Sequence, residues 1–458
     1  MIRNDAGLEF TAANDRAVAA FDATVAGYAG FRRDIGLHLK ATLSADPDMP
    51  MAHVLKGLFM QFMAVPAVLP KAQDALAAAR AAAARHEASA RERLHIEVLD
   101  GWIRGDLRAA IRACEAILLD QPLDLLALKL ANFFYFYVGD SKNLRDVVAR
   151  VLPAWTPTQP GYGFVLSLYA FGLEENGQYP DAERLARRAF ELNPGDAWAV
   201  HAIAHVNEMQ DRHEAGIAWL AETEAHWNTL NNFRYHLWWH RALQHLNRGD
   251  PGGALELYDN RLWDPASDEY LDLANDISLL QRLELAGINV GDRWQPLADK
   301  VEKLCSRRCF AFVDAHYLLA LAAAGRRDQA AAMLEALRIY SETSDETAAQ
   351  VTAIVNGALC AALCRYREGD YAPAVALLAP VRDELRALGG SHAQRDLFEQ
   401  ILVDATLRAG DYRRARALLA ERSALRPANR WNVPRYAEAL AGLGDLERAT
   451  LAGSLPPR

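Results

Sequence analysis

Three polar side chains capable of metal or acid-base chemistry lie within eight residues in the segment HAIAHVNEM, residues 201–209. They are His201, His205 and Glu208. In a helix, 100° per residue places all three within an arc of roughly 60° on one face. Two imidazoles four residues apart can bind one divalent metal ion, which a carboxylate can help to ligate. Without metal, His201 could act as a general base oriented by Glu208. Ordinary packing of a buried helix is the third interpretation.

Residues of the same types recur further along the chain. YHLWWHRALQHLNRGD contains His236, Trp238, Trp239, His240 and His245, YLDLANDIS contains Asp272 and Asp276, and FVDAHYLL contains Asp314 and His316. His236 is an alternative ligand or general base to His201, and Asp314 is an alternative orienting group. Imidazoles, indoles and carboxylates collected from several helices have the mixed character of a small-ligand site.

These residues are carried by a repeat that is visible in its turns. A glycine followed by a polar residue recurs, with an alanine a few positions later in most copies. The turn glycines are Gly105, Gly139, Gly177, Gly249, Gly325, Gly369, Gly410 and Gly444. Successive glycines are 34, 38, 72, 76, 44, 41 and 34 residues apart, and Asp211 in DRHEAG fills the first double interval. A period near 34 residues predicts a helix, turn, helix unit in which glycine caps the first helix.

This pattern resembles the tetratricopeptide repeat, most clearly in residues 163–194. The resemblance implies an all-α fold, a right-handed α-solenoid of tetratricopeptide-like helix pairs with a concave inner groove. We expect residues 1–458 to form one such solenoid. Its parts would be irregular N-terminal helices over 1–100, core repeats carrying the site over 101–330, and C-terminal repeats over 331–458.

The repeat register assigns directions to the candidate side chains. In tetratricopeptide repeats, positions 2, 5, 9 and 12 of the first helix of each unit face the groove. Counting from Ala197, positions 5, 9 and 12 are His201, His205 and Glu208. In the next unit His236 and Trp239 occupy positions 2 and 5, with His240 at the groove edge. We therefore predict that two neighbouring helices form facing walls of one groove.

Longer segments are similar to the tetratricopeptide repeat protein 38 family, as a bacterial member. They include NPGDAWAVHAIAHVNEM, HLWWH, LELYDNRLW, FVDAHYLLA and LGGSHAQRDLFEQIL, and the similarity extends from about Phe21 to about Pro427. The resemblance implies the same repeat fold and assigns no settled activity. It also singles out individual positions. They are His201, His205, Glu208, His236, Trp239, His240, Asp272, Asp276, Asp314 and His316, and in the last segment Gln394, Arg395 and Asp396. Ser391 can cap the following helix, but capping gives no reason for the three residues after it.

Composition excludes several partners. Lys+Arg 50 against Asp+Glu 59 gives a net charge of −9, with neither sign gathered into a block, so we expect no nucleic-acid partner. No window has about 18 uninterrupted apolar residues and the N-terminus has no signal pattern, so we expect a cytoplasmic protein without a membrane partner. The oligomeric state is left open.

Two cysteine pairs have helical i,i+4 spacing. Cys360 and Cys364 stand among small apolar residues, which predicts packing rather than chemistry. Cys305 and Cys309 flank two arginines, a more reactive setting, although packing is the favoured interpretation here too.

Two functions follow from the sequence. The first is non-catalytic binding of a peptide, protein or small-molecule ligand in the groove, since tetratricopeptide repeats mostly serve as binding scaffolds. The second is an enzyme that uses the His, Glu and Asp cluster for metal-dependent or general acid-base chemistry on a small molecule. A divalent metal is a possible cofactor, with His201, His205, Glu208 and His236 as candidate ligands; the spacing differs from the metalloprotease motif.

Overall fold

The computed structural model describes residues 1–305, 310–427 and 429–453. In these residues the chain is all-α, as predicted, apart from one short antiparallel hairpin near the N-terminus. Its strands are β1 (Ile2–Arg3) and β2 (Glu9–Phe10).

Helices follow one another closely through the first half of the chain. They are α1 (Asp15–Ala29), α2 (Ile35–Ala45), α3 (Pro50–Phe62), α4 (Leu69–Arg85), α5 (Ala90–Ile103), α6 (Leu107–Asp120), α7 (Leu125–Tyr137), α8 (Ser141–Val151), α9 (Tyr162–Glu174), α10 (Tyr179–Leu192), α11 (Ala197–Met209), α12 (His213–Glu222) and α13 (Glu224–Trp227). Short 3₁₀ helices occupy Pro66–Val68 and Leu152–Ala154.

The second half continues in the same way. Its helices are α14 (Phe233–Arg248), α15 (Pro251–Leu257), α16 (Tyr270–Leu285), α17 (Trp294–Leu304), α18 (Ala311–Ala323), α19 (Arg327–Thr343), α20 (Thr347–Val351), α21 (Gly357–Glu368), α22 (Tyr371–Leu378), α23 (His392–Arg408), α24 (Tyr412–Leu425), α25 (Asn432–Gly442) and α26 (Leu446–Gly453). Tyr258–Leu262 and Thr352–Asn356 are π-helical, and Gly291–Arg293 and Ala379–Leu388 are 3₁₀-helical.

The chain divides into two compact units. Unit 1 comprises residues 1–203, 223–234 and 346–348, and unit 2 comprises 204–222, 235–345 and 349–458. The first boundary falls within α11. The single continuous solenoid expected from the repeat, with its three parts, stays a prediction.

The repeat turns form as the sequence predicts. All eight turn glycines have positive φ, from 68° at Gly139 to 91° at Gly249, and Asp211 takes the same conformation with φ 54°. Five of the following residues cap the next helix, because an aspartate side chain accepts a backbone N–H of its first turn. These caps are Asp106, Asp140, Asp250, Asp411 and Asp445. Each turn therefore ends one helix and begins its antiparallel neighbour.

Within unit 1, small residues let paired helices approach closely. The α9 helix packs on α10 and α8, and a Cβ atom at Gly172 of α9 would lie only 2.6 Å from the Cα of Arg145. On α10, Ala182, Ala186 and Ala189 are fully buried. These are the packing alanines of the clearest repeat copy.

Within unit 2, helices distant in sequence fill the interior. The α16 helix packs against α17 and α18 and also against α23. Arg282 of α16 donates from Nη2 to the carbonyl oxygen of Ala393 at 2.7 Å. Every α16 residue from Asp272 to Leu283 is buried. Side chains on the inner helices of unit 2 therefore meet other side chains and not bulk water.

One stretch, Thr347–Glu368, is long and apolar enough to cross a membrane by length and composition, and half of its most apolar window is buried in the protein. A buried core helix meets the same criterion, and the expected lack of a membrane partner stays a prediction. Cys360 is fully buried in this stretch. Cys309 lies outside the described residues, so the structure does not describe the Cys305/Cys309 pair.

Candidate functional site

Three imidazoles come together inside unit 2. His205 lies on α11, and His236 and His240 lie one turn apart on α14. The ring centroids of His205 and His240 are 4.4 Å apart, and those of His236 and His240 are 4.7 Å apart. One ring nitrogen from each of the three lies within 4.8 Å of the others. We call these residues the histidine cluster; each is at most 4% exposed.

Neighbouring polar groups orient two of the rings. His236 Nδ1 lies 3.0 Å from Asn275 Oδ1, and His240 Nδ1 lies 3.2 Å from Glu208 Oε2. An oxygen acceptor at Nδ1 favours the tautomer that carries its proton on Nδ1, and a neutral ring in that tautomer has its lone pair on Nε2. Trp239 stacks on His236, with centroids 5.2 Å apart and planes at 14°. This tautomer is the one in which Nε2 can bind a metal ion or accept a proton.

Burial and neighbouring charges shift the pKa values of His236 and Glu208. Burial lowers the pKa of His236 well below its usual value, and the neighbouring His240 lowers it further. Burial would raise the pKa of Glu208, but its hydrogen bond to His240 and the positive charges nearby outweigh burial, and the pKa is lowered. At neutral pH the cluster therefore presents a neutral His236 beside an ionised Glu208.

A buried network of arginines and carboxylates surrounds Glu208. Arg426 donates from Nη2 to the Glu208 carbonyl oxygen at 3.2 Å and lies 3.3 Å from Asp211. Arg282 lies 3.6 Å from Asp396, which also binds Arg422 at 2.6 Å. Burial opposes ionisation of Asp396, but the three guanidinium groups hold its pKa well below the usual range. Positive charge is therefore built into the interior next to Glu208.

Ser391, Gln394 and Arg395 make local hydrogen bonds at the start of α23. Ser391 and Gln394 form a reciprocal capping box at the start of α23: the serine side chain accepts from Gln394 N, and Gln394 Oε1 accepts from Ser391 N at 2.9 Å. Capping thus gives a reason for Gln394, which the sequence analysis did not expect. Arg395 donates to the carbonyl oxygen of Gly390. Asp396 belongs to the charge network through Arg282 and Arg422.

Asp272 and Asp276 form a separate acidic group at the start of α16. Ser267 donates to Asp272 Oδ2 at 2.6 Å, and Glu269 caps the helix through the backbone N–H groups of Leu271 and Asp272. Burial and the charge of Asp272 raise the pKa of Asp276 well above its usual value. The same two causes raise the pKa of Glu269, a residue that the sequence analysis did not single out.

His316 and Asp314 lie on α18, both buried. His316 donates from Nδ1 to the carbonyl oxygen of Phe312 at 2.8 Å, and its ring centroid is 5.2 Å from that of Phe398. Burial lowers the pKa of His316 to about 4. The surroundings of His316 in unit 2 are those of a packed, neutral core histidine.

His201 belongs to unit 1, where aromatic rings surround it. Its ring centroid lies 4.7 Å from Trp198, 5.2 Å from Phe171 and 5.3 Å from Phe233. It is 1% exposed. Within unit 1, aromatic rings therefore pack around it.

Several polar residues around these sites were missed. Contacts between segments distant in sequence bring Asn275, Arg282 and Arg426 near the histidine cluster. No local sequence pattern therefore predicts their position. His392, which the sequence analysis does not name, has its ring centroid 5.9 Å from that of His205.

Unit 1 also contains a buried lysine that the sequence analysis overlooked. Lys129 of α7 is 2% exposed, and its Nζ lies 4.5 Å from the Phe31 centroid and 4.9 Å from that of Phe133. Burial lowers the pKa of Lys129, while the charge of Asp196 opposes that change. In the sequence, the sign of this buried lysine is that it is a single cation within the apolar segment LLALKLANFFYF.

No family model matches this chain. Many solved structures are similar to it, and two of them are described here. The structure of Naa15/Naa10 bound to HypK-THB matches with a TM-score of 0.25 and 13% identity over 80% of this chain, which spans 63% of the length of that one. The tetratricopeptide repeat domain of P58(IPK) matches with a TM-score of 0.23 and 14% identity, over 80% of this chain and 91% of that chain. Both TM-scores lie well below 0.5, so neither match bears on the ligand or partner of this protein.

Proposed function

We propose that this chain is a helical-repeat binding protein that holds a divalent transition-metal ion at His205, His236 and His240 and, through that ion, a small anionic ligand or a peptide carboxylate. The observation that carries the proposal is the meeting of three buried imidazoles with two of their Nδ1 atoms already oriented by Glu208 and Asn275. Metal-binding histidines usually donate their second ring N–H to such an oxygen.

The donor set selects the type of metal. Imidazole suits Zn²⁺, Cu²⁺, Ni²⁺ and Fe²⁺, whereas Mg²⁺ and Ca²⁺ prefer oxygen ligands. A low histidine pKa favours metal binding at neutral pH, since a proton no longer competes for the lone pair. The lowered pKa of His236 therefore supports this assignment.

The charge of the occupied site favours an anionic ligand. Three neutral imidazoles leave the full charge of a divalent ion uncompensated, and sites with three protein ligands keep a coordination position open. The nearest carboxylate, Glu208, is engaged by His240, and Asp396 is held by Arg282 and Arg422. A carboxylate or phosphate oxygen would complete the coordination.

Catalysis at the same place is the second candidate. The Glu208 and His240 pair has the arrangement of a general base and its orienting carboxylate, and a bound metal ion lowers the pKa of coordinated water. Turnover, abolished by the same substitutions, would distinguish an enzyme from a binding protein.

We further propose that the chain belongs to the tetratricopeptide repeat protein 38 family and works in the cytoplasm. The quoted segments support the first statement, and the composition supports the second. As the partner of this chain we propose a small molecule, a peptide or a protein segment.

The test is zinc retention by the full chain carrying no histidine tag. Protein incubated with Zn²⁺ and passed through gel filtration should retain about one ion per chain by elemental analysis. His236→Ala and His240→Ala should each lose most of it, while His86→Ala, at a half-exposed side chain, should not. The proposal fails if the wild type retains no zinc or if the two cluster variants retain it equally, with circular dichroism showing that each is folded.

A further inference from the structure

A cavity lies wholly within unit 1, beside the N-terminal hairpin. Its volume is about 290 Å³. Its walls come from the segment between β1 and β2, α1, α5, the start of α7, and the connector before α9. Apolar side chains form most of the wall, including Phe10, Phe21, Trp155 and Phe164.

Arg91, the cation in the cavity wall, already donates hydrogen bonds within the protein. Arg91 donates from Nη1 to Asp124 at 2.8 Å and from Nη2 to the Glu9 carbonyl oxygen at 2.7 Å, and its guanidinium lies 4.5 Å from the Phe10 centroid. His95 shares the same Asp124 carboxylate at 2.9 Å. Arg91 and Asp124 therefore neutralise each other.

The carboxylates that remain give the cavity an acidic character. Asp22 of α1 and Asp5 also line it. Asp22 Oδ1 accepts a hydrogen bond from Asn4 at 3.0 Å, and no ion pair of Asp22 with a lysine or arginine occurs among the described residues. Burial raises the pKa of Asp22, and the charges of Asp5 and Asp124 raise it further. The hydrogen bond from Asn4 and the charge of Arg91 lower it by less, so the net change is upward. A ligand cation beside this carboxylate would offset the cost of its burial.

We propose that this cavity binds a small primary amine with an apolar, aromatic body, the ammonium group at Asp22 and the body against Phe21 and Phe164. Aromatic faces attract both the ring and the cation, and the excess of carboxylates excludes organic anions. A liquid-water molecule occupies about 30 Å³, so the cavity suits a ligand of roughly ten non-hydrogen atoms.

Three probes that share a phenylethyl group and differ in head group test the charge preference. Calorimetric titration of the full chain should show 2-phenylethylamine binding at least tenfold more tightly than 2-phenylethanol, with no binding of 3-phenylpropanoate. Equal binding of the carboxylate, or no binding of the amine, overturns the proposal without requiring any variant.

Substitutions then locate the site. Asp22→Asn should weaken amine binding about tenfold and leave the alcohol unchanged, whereas Asp15→Asn, at an exposed position on α1, should change neither. Ala23→Leu, which fills part of the cavity, should weaken both ligands. Amine affinity unchanged in folded Asp22→Asn and Ala23→Leu proteins would place binding elsewhere and refute the proposal.

Discussion

His240 donates a hydrogen bond to Glu208 across two helices of unit 2, with Nδ1 and Oε2 separated by 3.2 Å and both side chains buried. The pair fixes which nitrogen of His240 carries the lone pair. It also places an ionised carboxylate next to the cluster proposed to bind metal. Its integrity should therefore control both metal affinity and ring orientation.

Glu208→Gln should weaken zinc binding about 10- to 100-fold, the usual effect of removing a carboxylate that orients a metal-binding histidine. The amide can still accept from His240, so the fold should persist. Competition with a chromophoric chelator measures the affinity. As a control, Glu214→Gln on exposed surface of α12 should leave it unchanged. Equal affinities for the Glu208 variant and the wild type would show that the pair has no role in binding.

Lys129 should make stability depend on pH in a defined direction. Its pKa is lowered to about 7 in the folded protein from an ordinary 10.5, so between these values the unfolded chain binds the extra proton. Stability should rise with pH over this window, by up to about 1.4 kcal/mol per pH unit. Lys129→Met should lack this rise.

Urea unfolding at pH 7, 8 and 9 measures the effect of Lys129. Lys56→Met, at an exposed lysine, is the control and should follow the wild type. Parallel profiles for Lys129→Met and the wild type would contradict a depressed lysine pKa.

The capping box at α23 should contribute measurably to the stability of unit 2. Ser391→Ala removes the acceptor for Gln394 N, and we expect it to lower the free energy of unfolding by about 1 kcal/mol. Ser391→Asp retains an acceptor and should largely preserve stability. If the Ser391→Ala and Ser391→Asp proteins have the same free energy of unfolding in urea, the capping hydrogen bond does not contribute to stability.

Close packing in unit 1 can be tested with matched glycines. Gly172→Ala would bring a Cβ within 2.6 Å of the Arg145 backbone and should destabilise by about 1–3 kcal/mol. At Gly36 of α2 a Cβ would meet nothing within 4 Å, so Gly36→Ala should be neutral or stabilising. Thermal unfolding of both variants measures the contrast. The same shift at both positions would argue against close contact between α8 and α9.

Local signals were enough to predict the repeat turns and the histidine pair on α14. Gly139 and Gly249 mark turns because a positive φ is a property of a few adjacent residues. His236 and His240 share a face because the spacing belongs to one helix. Contacts between distant segments had no such signal: Arg282 meets Ala393 across 111 residues, and Asn275 reaches His236 across 39.

Gln394 has a local role that the resemblance does not give. The resemblance singles it out as part of a site, which stays a prediction, and its side chain forms a capping box at the start of α23. Lys129 was overlooked because a single lysine on an apolar helix is usually solvated, and only the packing of α7 beside Phe31 buries it.

Metal binding at the histidine cluster can be tested by anomalous scattering at the zinc absorption edge, on crystals grown with Zn²⁺. We expect one strong peak about 2.1 Å from a ring nitrogen of each of His205, His236 and His240. A zinc-free cluster in such crystals, or a peak confined to other residues, would contradict it.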